Sequence, residues 1–181
     1  MSSESLQPAS LVEQYLPQIG AALSSHPVLD LACGSGRNGL FLARHKFPVI
    51  FADINPTVLE KIARELTGVH SSAACWEVDL ENPDTQPLAG KEFDVILVFN
   101  YLHRPLIPAI RDSLVAGGLL LYETFTVDQA KLGRPRNPDF LLKPGELRNW
   151  FDDWEILSEF EGFQESPPRC YASLVARKPG T

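Results

Sequence analysis

Three glycines and three aspartates carry most of the chemistry this chain can do. Gly34, Gly36 and Gly39 stand in VLDLACGSGRNG, at the Gly-x-Gly-x-x-Gly spacing of a strand-to-helix turn that admits a ligand to the backbone. Asp30 sits in the apolar run just before them, Asp53 ends VIFAD, and Asp79 stands in WEVDL. The helix after such a turn presents unpaired N–H groups and a positive dipole, so the turn can hold an anion. A dinucleotide pyrophosphate is one ligand it could take. Asp53, 19 residues after Gly34, even has the spacing of an acid that accepts from a ribose hydroxyl. Asp30 counts against that ligand, because a fixed carboxylate four positions before Gly34 repels a diphosphate.

The same carboxylate suits a nucleoside with a cationic end. S-adenosylmethionine carries a sulfonium, an ammonium and a carboxylate, but no phosphate. Asp30 can favour its cationic part by direct, backbone or water-mediated contact, while the helix N-terminus favours its carboxylate. Asp53 can accept from both ribose hydroxyls, Asp79 from the adenine amino group, and Phe99 can lie beside the ring. Asn55-Pro56 reads as the cap of the next helix, which leaves Asp53 free.

Methyl transfer from a sulfonium is an in-line displacement that needs no metal, only near-attack geometry and exclusion of water. FNYLHRP supplies the groups for the reacting end: Asn100, Tyr101, His103 and Arg104. His103 is a base or a helix cap, Arg104 a clamp for an anionic acceptor or a solvated charge, and Tyr101 a wall of the cleft. Glu123 and Thr124 are expected at the same cleft edge. Cys33, Cys75 and Cys170 are odd in number with no CxxC pair, and read as small buried residues in a reducing cytoplasm.

The elements that must position these groups alternate strand and helix. An N-terminal helical segment is expected over 1–25, frayed at 1–8 and built on Leu11 to Leu23, with an interruption at Pro17. Strands are expected at Val28 to Ala32, Val49 to Ile54, Ala74 to Leu80, Phe93 to Phe99 and GLLLYETF. Helices are expected at NGLFLARH, TVLEKIAREL and about Leu106 to Val115. That order predicts a single α/β domain over 1–181, with a doubly wound, mostly parallel sheet. WEILSEFEGF and CYASLVARK, joined at Ser166-Pro167-Pro168, predict an antiparallel hairpin at one edge. Between them and the parallel strands lies a polar, Pro-rich stretch, 126–148, a candidate lid. From Asp128 to Arg148 it has five basic residues against three acidic ones, in a chain of formal net charge −7. That charge argues against an extended nucleic-acid or anionic-membrane surface and favours a small acceptor. No apolar run approaches the roughly 20 residues of a membrane span, and MSSESLQPAS lacks the features of a secretory leader. No pattern signals an oligomeric state.

LDLACGSGRNGLFLA resembles motif I of the class I S-adenosylmethionine-dependent methyltransferases, and ADINPTVLEKI, WEVDL and FDVILVFNYLH follow in that family's order. The resemblance covers about Val28 to Phe125, and Ala32 stands where the family usually has glycine. GRN after the glycines, KPGELRNWFDDWEILSEFE and SLVARK further resemble the tellurite-resistance methyltransferase subgroup. The resemblance implies a Rossmann-like sheet of order 3-2-1-4-5-7-6 with the last strand antiparallel. It also implies S-adenosylmethionine as cofactor and a small-molecule acceptor, a chalcogen or thiol being one candidate. The expected cofactor contacts are Asp30, Ala32, Cys33, Gly34, Gly36, Asn38, Asp53, Ile54, Asp79, Leu80 and Phe99, with Tyr101, His103 and Arg104 at the reacting end. Asn100 is followed by Tyr101-Leu102 rather than Pro-Pro-Tyr, which disfavours adenine-N6 and glutamine acceptors. An NAD-dependent oxidoreductase and a non-catalytic S-adenosyl-nucleoside-binding module are the rival functions.

Overall fold

Why the sheet is buried on both faces is visible in its fourth strand, FDVILVF, which is apolar at all but one position and buried at every one. The computed structural model describes residues 7–69 and 72–180; the start of the expected frayed terminus, 1–6, lies outside them. Seven strands form one sheet: β1 (Val28–Leu31), β2 (Val49–Asp53), β3 (Ala73–Glu77), β4 (Phe93–Phe99), β5 (Leu114–Phe125), β6 (Glu155–Glu165) and β7 (Pro168–Arg177). Their order is β3-β2-β1-β4-β5-β7-β6, as expected. Strands β1 to β5 run parallel, and β7 runs antiparallel to both β5 and β6.

The period of two along the strands divides the core into two layers. Leu29, Leu31, Ile96 and Val98 point to one side and pack with Leu106, Phe151 and Trp154. Val28, Phe51, Val95 and Leu97 point to the other and pack with Ile19, Leu40 and Ile62. Helices α1 (Ser10–Gln14), α2 (Leu16–Ala22), α3 (Arg37–Arg44) and α4 (Pro56–Glu65) supply the second layer. Helices α5 (Ile107–Ser113) and α6 (Glu146–Trp150) supply the first. Pro17 sits in the first turn of α2, so the break it forces falls at Tyr15. Asn55 caps α4 by accepting from the Thr57 amide at 3.0 Å, with Pro56 at the first helical position.

Three expected boundaries move. β3 ends at Glu77, so Asp79 lies in the loop beyond the strand rather than on its last residues. α5 closes at Ser113, and β5 begins at Leu114, so Gly117 and Gly118 lie within the strand. Gly118 has no room for a side chain, since a Cβ there would stand 2.9 Å from the Asp94 and Val115 carbonyls. Cys75 is exposed on the edge strand β3, correcting the expectation that all three cysteines are buried. Among the described residues no helix is long and apolar enough to cross a membrane.

A polar clamp joins the N-terminal helices to the sheet. The Asp94 carboxylate, fully buried at the start of β4, accepts from the amides of Ser24, Ser25 and His26 at 2.6, 3.0 and 2.9 Å. Burial pushes its pKa up, but these hydrogen bonds and those of the Ser24 and His26 side chains outweigh it and hold the group below its ordinary value. Asp94→Ala is expected to cost at least about 2 kcal/mol, because it strands three amides. A carboxyl whose folded pKa is depressed stabilises above its unfolded value. Urea midpoints of the parent should therefore fall below about pH 4 more steeply than those of Asp94→Ala.

Candidate functional site

The site is built outward from the turn between β1 and α3. Asp30 is 3% exposed, and its Oδ2 accepts from the Gly39 amide at 2.9 Å, tying the strand to the helix that follows. Gly39 has no alternative: a Cβ there would lie 2.4 Å from the Phe51 ring and 2.7 Å from Asp30 Oδ2. Gly36, at φ +71°, caps α3, and a Cβ there would meet Ile62 at 2.6 Å. Above Gly34, at φ +53°, there is open space. Ala32 shares this left-handed geometry at φ 51°, so alanine occupies a backbone shape that favours glycine.

The first cavity lies past the carboxyl ends of β1, β2 and β3 and holds about 720 Å³. Ala32, Asp53, Ile54, Asp79, Leu80 and Tyr101 line it, together with Val78 and Glu81 to Pro83. Asp53 is less free than its sequence suggests, since Oδ2 accepts from the Gly34 amide and Oδ1 from the Asn55 amide, both at 2.9 Å. Each oxygen keeps a second lone pair, so the carboxylate is oriented and can still accept from a ligand. Asp79 Oδ1 likewise accepts from the Glu81 amide at 2.9 Å. Ile54 is 61% exposed, an apolar surface in a polar-rimmed cavity that a flat ring would cover.

A second cavity of about 830 Å³ adjoins the first through two shared residues, Glu81 and Tyr101. Asn100, Leu102, Thr124 and Phe125 form its floor, and the segment from Arg134 to Phe140 forms its roof. Asn100 holds φ 55° at the end of β4, with its amide donating to the Glu123 carbonyl at 2.8 Å. The Tyr101 hydroxyl is buried with no hydrogen-bond partner among the described residues. Burial, then the charge of Glu81, raises its pKa, so the phenol stays protonated.

Several expected site residues lie elsewhere. Asn38 Oδ1 accepts from the Ala9 amide at 2.8 Å and fastens the N-terminal segment to α3. Phe99 points into the layer of Leu40, Phe51 and Leu121, away from both cavities, because its place in the alternation of β4 matches Val95 and Leu97. Cys33 packs beside that layer, its thiol directed to the Gly34 carbonyl, and burial raises its pKa. His103 lines a neighbouring groove bounded by the 80–92 loop and α5, not the two joined cavities. It occupies the cap position before Arg104 without a side-chain cap bond.

Arg104 requires the plainest correction. Its guanidinium pairs with Glu146 at 2.7 and 2.8 Å and donates to the carbonyls of Asp139 and Leu141, both at 2.9 Å. With its donors committed in this way it braces the roof segment instead of clamping an acceptor. Glu123 is similarly committed to Arg169 at 2.7 Å. Glu81, at the junction of the cavities, was not singled out in the sequence. An acid after WEVDL was the only available signal, and nothing local to it marks a cavity wall.

Comparison with known families now decides between the nucleotide readings. Residues 29–120, more than half the chain, match the family model described as a methyltransferase domain. The chain belongs to this family. Within it, the chain is 27% identical over 175 residues to a probable S-adenosyl-L-methionine-dependent methyltransferase, TehB, of Haemophilus influenzae. That match covers 86% of this chain and 58% of the TehB protein, so the chain spans little more than half the length of this curated relative. The crystal structure of TehB from H. influenzae superposes with a TM-score of 0.71 at 22% identity, covering 93% of this chain and 61% of that one. The N-methyltransferase NodS from Bradyrhizobium japonicum superposes at 0.70 with 16% identity, covering 93% and 94% of the two chains. The fold of this methyltransferase-domain chain is thus the Rossmann-like fold of its structural neighbours.

Two consequences of the turn can be measured. Replacing Ala32 by glycine removes a left-handed penalty of about 1–2 kcal/mol and restores backbone entropy to the unfolded chain, so Ala32→Gly should melt no lower than the parent. Ala32→Val, with a branched side chain in the same backbone shape, should melt clearly lower by calorimetry. Burial, only partly offset by the Gly39 amide and by Arg37, raises the pKa of Asp30 to about 7. A carboxyl raised in the folded state favours folding below its unfolded value, and that contribution is lost as pH rises through about 7. Ligand-free parent should therefore lose stability between pH 5 and 8 relative to Asp30→Asn, as followed by thermal melts at several pH values.

Proposed function

We propose that this chain transfers a methyl group from S-adenosylmethionine to a small-molecule acceptor. The observation that carries the proposal is the first cavity, in which oriented carboxylates and an exposed apolar side chain meet past the ends of three parallel strands. Its residues fit a sulfonium nucleoside. Asp53 would accept from the ribose hydroxyls and Asp79 from the adenine amino group, with Ile54 and Leu80 against the ring. Behind the turn, Asp30 supplies negative potential toward a cationic end, and the open space above Gly34 leaves the loop amides approachable. A diphosphate seated on the loop would lie against the negative potential of Asp30, which disfavours the dinucleotide alternative.

When bound, S-adenosylmethionine supplies an electrophilic methyl carbon, and its transfer leaves the broken bond's electron pair on sulfur. The chain's own residues act on position and water. Tyr101 walls the junction between the cavities, and its protonated hydroxyl can donate there. Glu81, at the same junction, can accept the proton of a protonated nucleophile. The roof from Arg134 to Phe140 limits solvent above the acceptor side, which is the work expected of a lid in 126–148. A chalcogen or thiol remains an acceptor class compatible with this reading.

Calorimetry with S-adenosylhomocysteine tests the proposal. Binding is expected, and Asp53→Ala should weaken it by about ten-fold or more, since charge-assisted hydrogen bonds are worth about 1.5–3 kcal/mol. Tight NAD binding with no S-adenosyl binding would overturn the assignment.

A further inference from the structure

The roof of the second cavity differs in chemistry from every other wall of the site. Arg134 and Arg136 both line it, both are exposed, and neither side chain makes a salt bridge or hydrogen bond among the described residues. Four other basic side chains around them are paired. Arg104 is bound to Glu146, Lys131 to Asp128, Arg148 to Glu159 and Arg169 to Glu123. Two guanidiniums without counter-charges therefore face one cavity in a chain of net charge −7.

The segment that carries them is held in place. Gln129, 6% exposed, donates from Nε2 to the Arg134 carbonyl at 3.1 Å while its Oε1 accepts from the Cys170 amide at 2.8 Å. Asn137 accepts from the Asp139 amide at 3.1 Å, and Arg104 holds the carbonyls of Asp139 and Leu141. Leu141 and Leu142 are buried, and the Leu142 amide joins the Phe125 carbonyl at 2.9 Å. A backbone braced at four places presents the two arginines with little further backbone ordering required of whatever binds them.

Beside the arginines, apolar side chains make up much of the cavity's lining, among Asn100, Thr124 and Asn137. Phe140, 48% exposed, faces it from the roof, with Leu102 and Phe125 below. At about 830 Å³ the space far exceeds a bare inorganic oxyanion. The arginines line only this cavity, whereas Glu81 and Tyr101 also line the nucleoside half. We infer that the acceptor is an amphipathic organic anion: a carboxylate or comparable head on Arg134 and Arg136, and an apolar body against Phe140, Phe125 and Leu102. The anionic head is then an address, distinct from the atom that is methylated. The nucleophilic atom lies toward Glu81 and Tyr101, where the new bond to the methyl carbon forms and where Glu81 takes up the proton the nucleophile gives up. This inference rests on the methyltransferase reading, with the first cavity as the nucleoside half.

The test uses protein saturated with S-adenosylhomocysteine, titrated by calorimetry with phenylacetate, hexanoate, their uncharged amides, and selenite. Both carboxylates should bind at least about ten-fold more tightly than the matched amides, the scale of one hydrogen bond to a charged group. They should also bind more tightly than selenite. The double variant Arg134→Ala/Arg136→Ala should erase the preference for carboxylate over amide while leaving S-adenosylhomocysteine affinity unchanged. Phe140→Ala should weaken hexanoate without changing selenite. Equal binding of carboxylates and amides, no binding of any probe, selenite binding as tightly as the carboxylates, or an unchanged preference in the double variant would overturn the inference. Failure of S-adenosylhomocysteine to bind in the first step would instead overturn the methyltransferase reading.

Discussion

One buried hydrogen bond sets the geometry on which the rest of the site depends. Asp30 on β1 receives the Gly39 amide of α3, and this holds the turn between them closed over the sheet. The bond requires close approach of helix and strand, so Gly39 has no room for a side chain and Gly36 is pressed on Ile62. The turn it closes passes through left-handed geometry at Ala32, Gly34 and Gly36 within five residues. From that compressed turn the Gly34 amide reaches across to Asp53 at the end of β2. Two carboxylates on adjacent strands are thus bound to opposite sides of one loop. A buried carboxylate with a single donor is costly to keep ionised, which is the physical reason for the raised pKa of Asp30.

A second polar device organises the opposite half of the cleft. Arg104 follows β4, and its guanidinium joins Glu146 at the start of α6 to the carbonyls of the roof segment. A planar fork of five donors is suited to this, because it can bind a carboxylate with two parallel bonds and still reach backbone oxygens. Arginine is used here in two ways. Arg104 spends its charge on a partner and acts as a brace, while Arg134 and Arg136 keep theirs and face the cavity. Counting basic residues along the chain could not separate these uses, since the distinction lies in whether each one meets a carboxylate.

Much of the fold was legible because it follows from local periodicity. The unbroken apolar run of β4 required cover on both faces, and the alternation of strands and helices required parallel strands. That Asp53, Asp79, Ile54, Ala32 and Leu80 come together around one cavity was legible for the same reason: strand ends in such a sheet open on one edge. Where reasoning from position failed, the cause was orientation or a distant partner. Phe99 ends β4 as expected, but alternation along the strand turns its ring into the core. Asn38 follows the glycines as expected, but its side chain is taken by Ala9, 29 residues earlier. His103 follows Tyr101 by two positions and faces a different groove.

The sequence by itself therefore determined the order of elements, the tight glycine turn, the acid placed before it and the acids near the ends of the next two strands. These are consequences of residue type and short-range spacing, which chain geometry converts directly into structure. Only the tertiary structure decided which charges remain free. It paired Arg104 with Glu146 across 42 residues and Glu123 with Arg169 across 46, and left Arg134 and Arg136 facing the second cavity. Electrostatic partners are chosen by proximity in space, and a spacing of that length along the chain carries no record of it.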